Sequence, residues 1–253
     1  MSGSVLEVRG LSKTFARRGA PDVEALRGVG FELRAGERLG VVGQSGSGKS
    51  TLARIVMRFE AADEGRVLLC GRDITHAEGA ELASAYRQMQ MVFQDPADSF
   101  DPRRTLGEGI AEGLRNAGAS KEEAQARVRT LMEDCGLDPA LAARRPRQVS
   151  GGQCQRAAIA RALAPSPQLL VCDEATSALD ATVQRQIVRL LARLSDEHDL
   201  ALLFICHDIA LVAEACDRVI VMSEGRIAEE GPTEQVLRRP QSEATKELLA
   251  ARL

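Results

Sequence analysis

RLGVVGQSGSGKST, residues 38 to 51, decides how the rest of the chain is read. An apolar run, Leu39 to Val42, enters the G-x-x-x-x-G-K-S pattern of Gly43 to Ser50 and leaves through residues able to start a helix. In this arrangement Gly43, Gly46 and Gly48 let the backbone approach a phosphate, and successive N–H groups point inward. Lys49 would neutralise the β- and γ-phosphates, Ser50 would ligate magnesium, and Gln44, Ser45, Ser47 and Thr51 complete the loop. A chance match is expected in roughly one chain in a hundred of this length, so an ordinary glycine turn is the weaker reading.

Outward from the loop, VLEVRGL and VGFELRAG alternate as antiparallel strands do. A helix is expected from Lys49 to about Phe59, then strands at GRVLLCG and MQMVFQ. From about 95 to 165 the chain becomes charged and alanine-rich, broken by DPADSFDPRR and LDPALAARRP, which predicts a helical insert. Strand and helix then alternate through LLVCDE, a helix from about Ala181 to Glu197, ALLFICH, a short helix and DRVIVM. The fold class is therefore α/β: a P-loop nucleotide hydrolase with a mostly parallel central sheet, an antiparallel N-terminal β-subdomain and an inserted helical subdomain. One domain spanning 1–253 is expected, ending in a tail of two short helices, 232–253, split by Pro240.

Composition narrows the function classes. The 253 residues carry a net charge of -3 and no dominant basic face, which argues against nucleic acid as a partner. No apolar run approaches the roughly 20 residues that cross a bilayer, and MSGSVLEVRG lacks a signal peptide's apolar segment, so a cytosolic chain is expected. The six cysteines show no C-x-x-C pair and read as reduced, mostly buried thiols.

LLVCDEAT brings Asp173 and Glu174 to a strand end, one acid for the magnesium shell and one to accept a proton from, or orient, the attacking water. Adjacent acids at a strand end are usually a solvated loop; the phosphate loop upstream reverses that preference. Gln94, His207 and Asp180 lie where each could reach the phosphate end of a parallel sheet. Read alone, each is more simply structural. VSGGQ, residues 149 to 153, opens an alanine-rich helix with a serine and two glycines, a helix start able to hold an anion but without a lysine or magnesium ligand of its own.

Together GQSGSGKST, Gln94, VSGGQ, LLVCDE, SALD and His207 resemble, in order and separation, the ATP-binding subunit of ABC transporters over essentially the whole chain. The resemblance implies ATP and Mg2+, and a head-to-tail pair of such subunits in which Ser150, Gly151, Gly152, Gln153 and Asp180 of one complete the site of the other. It implies that Phe15 stacks on adenine, that Gln94 senses the γ-phosphate and magnesium, that Asp173 acts on magnesium through water, and that Glu174 and His207 serve hydrolysis. Valine stands where leucine is usual in VSGGQ, and Cys154 and Cys206 flank functional motifs, from which sensitivity to thiol alkylation is expected.

Asp95, Pro96, Pro102 and Arg103 after Gln94 resemble the group of ATPases that drive import of peptides, nickel and related metal chelates. That group implies two integral-membrane permease subunits, a second ATPase (a paralogue or this chain again), an extracytoplasmic solute-binding protein, and a peripheral place on the cytoplasmic face of the inner membrane. The alternatives are an ATPase for another solute or an exporter, and a non-transport ABC ATPase.

Overall fold

The computed structural model describes residues 3–16, 19, 21–177 and 179–250. Two sheets organise it. β1 (Ser4–Phe15), β2 (Val23–Arg34), β4 (Glu64–Leu69) and β5 (Arg72–Asp73) form an antiparallel sheet in the order β2-β1-β4-β5. β3 (Arg38–Gly43), β6 (Met89–Val92), β7 (Leu169–Asp173), β8 (Ala201–Ile205), β9 (Arg218–Ser223) and β10 (Arg226–Pro232) form the second, in the order β10-β9-β3-β8-β7-β6. Its pairs are parallel except β9 with β10, which is antiparallel.

The central strands read as unbroken apolar runs because both faces of this sheet are covered. Along β8, Ala201, Leu203 and Ile205 join a core beneath the antiparallel sheet, while Leu202 and Phe204 join a second core on the opposite face. β7 divides likewise, Leu169 and Val171 to one side, Leu170 and Cys172 to the other. This period-two alternation fixes register, since a slip of one residue would exchange the two cores.

The helices follow the strands that deliver them. α1 (Lys49–Val56) leaves the glycine loop and is shorter than the run to Phe59, because Arg58 takes a left-handed φ of 59° and turns the chain. α2 (Gly79–Gln88) precedes β6. α3 (Leu106–Asn116), α4 (Lys121–Asp134) and α5 (Gly151–Leu163) form the expected helical block, packed mutually and against β6. Each begins with a reciprocal capping box, at Thr105 with Glu108, Ser120 with Glu123 and Ser150 with Gln153. α6 (Ala181–His198), α7 (Ile209–Ala215), α8 (Thr233–Arg238) and α9 (Glu243–Ala250) complete the chain. No helix among the described residues is long and apolar enough to cross a membrane.

Candidate functional site

In a parallel sheet the loops beyond the carboxyl ends of the strands share one edge. Here that edge gathers the glycine loop after β3, the acidic pair after β7, His207 after β8 and Gln94 after β6. Gly48 caps α1 with φ 103°, and a Cβ there would lie 2.3 Å from the Ala25 carbonyl oxygen, so the sequence has no alternative to glycine at this point. The Ser47 carbonyl accepts from Gly225 N–H, and the Gly225 carbonyl from Arg27 N–H, which stitches the loop to the β9–β10 turn and to β2.

Lys49 is 6% exposed. Its ammonium donates to the carbonyls of Gly43 (2.8 Å) and Gln44 (2.9 Å). Burial pushes its pKa down from the usual lysine range, opposed by the carboxylates of Glu174 and Asp173. Ser50 Oγ lies 3.3 Å from Asp173 Oδ1. Burial raises the Asp173 carboxyl above its ordinary value, against the Ser50 hydrogen bond, with Glu174 raising it further. A hydroxyl and a carboxylate held together beside a phosphate loop are hard oxygen donors, and such a pair fits Mg2+.

Glu174 follows with φ 50°, a left-handed conformation that costs a non-glycine residue about 1–3 kcal/mol. It is held there because its N–H donates to the Ile205 carbonyl (3.0 Å), while its own carbonyl accepts from the Ser177 N–H and hydroxyl. His207 is exposed two residues beyond β8. β6 ends at Val92, so Gln94 lies in a loop past the strand and does not end it; it lines a groove with Phe93, Asp95, Asp98 and Asp173.

Phe15 ends β1, is 38% exposed and pairs with Val23, two residues before the Ala25 carbonyl that abuts Gly48. It is thus a surface ring at the loop and not a core phenylalanine; Lys13 Nζ lies 5.3 Å from its centroid.

Ser150, Gly151, Gly152 and Gln153 are elsewhere. Ser150 Oγ accepts from Gln153 N–H (3.3 Å), and Gln153 Oε1 accepts from Ser150 N–H (2.9 Å). A Cβ on Gly152 would lie 2.8 Å from Val183 Cγ1, so glycine lets α5 rest on the start of α6. Asp180 caps α6 through Oδ1, which accepts from Thr182 N–H and Val183 N–H, leaving Oδ2. Among the described residues, no hydrogen bond or ion pair joins residues 150–153 to the glycine loop. The glycine loop, the acidic pair, Gln94 and His207 thus lie at one edge of the sheet, while Ser150 and Gln153 spend their hydrogen bonds on each other.

The expected alkylation sensitivity is reversed. Cys154 and Cys206 are buried, and burial pushes both thiols up to about 11, which suppresses the thiolate that reacts. Cys70 is the exposed cysteine. Alkylation of the native chain is expected to stop at Cys70 with ATPase activity retained, as mass spectrometry and a parallel rate assay would read; labelling of Cys154 or Cys206 before unfolding would refute it.

Comparison with known proteins places the chain in a family. The ABC transporter family matches residues 26–177. The chain is 44% identical over 99% of its length to a probable peptide ABC transporter ATP-binding protein, y4tS, of Sinorhizobium fredii, spanning 73% of that protein. It is 44% identical over 90% of its length to the oligopeptide transport ATP-binding protein OppF of Salmonella typhimurium, spanning 69% of it. Other relatives are longer, and the chain spans 41% of one 43% identical to it. Its fold is similar to the dimeric post-hydrolysis ATP-binding cassette MJ0796 bound to ADP and Pi, with a TM-score of 0.81 and 30% identity over 90% of this chain and 98% of that one. A complete phosphate loop, an acidic pair beside it and these relationships lead to one conclusion: the chain belongs to the ABC transporter family, as an ATP-binding ATPase.

Proposed function

We propose that the chain works as one of two ATPase subunits that close head to tail and drive import of a peptide, nickel ion or related metal chelate through two separate permease subunits. The observation that carries this reading is the division of the site. Lys49, Ser50, Asp173 and Glu174 share one sheet edge, whereas Ser150 opens a helix bonded elsewhere. A helix start carries a positive end and free N–H groups that attract phosphate oxygens. Without a cation or metal ligand of its own, it completes a site that another subunit begins.

In the assembled pair, Phe15 stacks on adenine, and residues 43–51 wrap the phosphates. Lys49 exchanges the carbonyls of Gly43 and Gln44 for phosphate oxygens. Ser50 and Gln94 would hold magnesium, Asp173 through water, and the ion would neutralise charge on the phosphates. Glu174 orients and deprotonates the water, His207 holds the γ-phosphate, and Ser150 to Gln153 with Asp180 close the site from the second subunit. The names of the similar peptide and oligopeptide ATPases support a peptide-type solute. Action at the cytoplasmic face of the membrane, with an external solute-binding protein, follows from the same reading. The chain acts as one domain, with a helical subdomain at about 95–165 and a tail at about 232–253.

The contact that passes motion to the permease is assigned to the surface beside Gln94. Phe59 and Phe93 are 45% and 40% exposed, with rings stacked at 6.2 Å, and Tyr86 lies 6.3 Å from Phe59. Exposed aromatic rings grouped in this way favour a protein partner. The Phe59→Ser, Phe93→Ser double variant is expected to bind ATP as before and to lose copurification with the permease; retained copurification would exclude this surface. The function as a whole is tested by copurifying the chain with its permease and measuring ATPase stimulation with dipeptides, nickel and metal chelates. Stimulation by none, or association with DNA or ribosomes in place of a membrane protein, would overturn it.

A further inference from the structure

The C-terminal helix returns to the glycine loop. One carboxylate ties its first turn to β10: Glu229 accepts from the N–H groups of Gln241 (3.0 Å) and Ser242 (3.0 Å) and from the Thr245 hydroxyl (2.6 Å). Thr245 is fully buried. Burial alone would raise the Glu229 carboxyl, but the donors Thr245, Ser242 and Gln241 outweigh it and hold the group below its ordinary range. Leu248 and Leu249 of α9 pack on the core that β9 lines. So anchored, α9 brings Glu247 Oε2 to 3.5 Å from Gln44 Nε2, a contact at the long limit of a hydrogen bond. Gln44 also supplies, through its backbone carbonyl, one of the acceptors of the Lys49 ammonium.

We propose that α9 is a positioning element of the nucleotide site, in which Glu229 anchors the helix and Glu247 restrains Gln44, and with it the part of the loop that holds Lys49. This rests on the reading of residues 43–51 as the ATP loop. Glu247 itself touches no phosphate in this account. Its effect runs through the shape of the loop, and so falls on ATP affinity and not on the rate of bond cleavage.

Equilibrium titration of the full-length chain with Mg-ATP tests it. Glu247→Ala and Gln44→Ala are each expected to raise the ATP Kd about three- to tenfold, the range of one modest hydrogen bond. The double variant is expected to be no weaker than the weaker single one, because both remove the same link. Glu247→Gln keeps an accepting oxygen and is expected to stay within about twofold of the unsubstituted chain, on the same hydrogen-bond argument. Glu229→Gln should raise Kd without adding to Glu247→Ala. Glu247 is exposed, so the thermal midpoint of Glu247→Ala is expected to be unchanged. An unchanged Kd in Glu247→Ala, additive effects, or an equal rise in Glu247→Gln, where the accepting oxygen remains, each overturns the proposal. Failure of the unsubstituted chain to bind ATP, or equal binding by Lys49→Ala, would instead overturn the loop reading on which it stands.

Discussion

Replacing Glu174 by glutamine is expected to lower ATP turnover of the assembled complex by about 10^2–10^4-fold, the usual worth of a general base, while ATP binding persists. The substitution is isosteric. The left-handed turn at residue 174 is held by backbone bonds, from its N–H to Ile205 and to its carbonyl from Ser177, which glutamine keeps. What disappears is the ability to take a proton from water. The groups that grip the nucleotide, Lys49 with its loop and the Ser50–Asp173 pair, are left in place. One carboxylate fewer beside Lys49 also removes a negative charge near the phosphates, so ATP should be retained longer and the subunits should stay paired. Single-turnover hydrolysis and an ATP-dependent shift in molecular mass measure the two effects together. Unchanged turnover would remove Glu174 from the chemistry, and a parallel loss of ATP binding would make its role structural.

The parts of this site that were legible in the sequence are those in which chemistry is local. RLGVVG could be read as a buried strand to its last residue because both its faces are covered, and the loop after it because each residue type has a backbone or phosphate reason to be there. α2 is not legible in the sequence: GAELASAYRQ buries only Ala85 among its residues, and Glu78 before it makes no side-chain cap, so neither face nor start announces a helix. β10 is hidden in the sequence because RIAEEGP lies at an edge of the sheet and carries charge where an apolar run would signal a strand. MQMVFQ reads as a strand through Gln94 because nothing in it signals where pairing with β7 stops, at Val92. The links from Gly48 to Ala25, from Ser47 to Gly225 and from Gln44 to Glu247 join residues far apart in the chain, and only the folded structure brings them together. For Cys154 and Cys206, proximity to motifs suggested reactivity; the direction each side chain faces, into the core, decides against it.

The second large effect separates binding from turnover within a single substitution. Where the chain pairs with itself, Ser150→Arg is expected to lower ATP turnover of the assembled complex by about 10^2-fold or more while the separate chain binds ATP with unchanged affinity. The serine hydroxyl and the first N–H groups of α5 are donors at a positive helix end, and a bulky side chain in that place keeps them from the phosphates held by the second subunit's loop. This chain's own phosphate loop does not feel the change, since residues 150–153 are bonded to one another and packed on α6, not on residues 43–51. Where the chain pairs with itself, the geometry makes a stricter demand. A Lys49→Ala chain has a disabled loop and an intact helix start, and a Ser150→Arg chain has the reverse. Each is expected to be inactive alone, and mixing them creates one site with both halves intact, so activity returns. Where the pair is made with a paralogue, the same logic assigns Ser150→Arg to the paralogue's nucleotide, and hydrolysis at this chain's own loop survives. If ATP affinity of the separate chain falls as far as turnover does, the helix start serves its own loop, and the divided site is wrong.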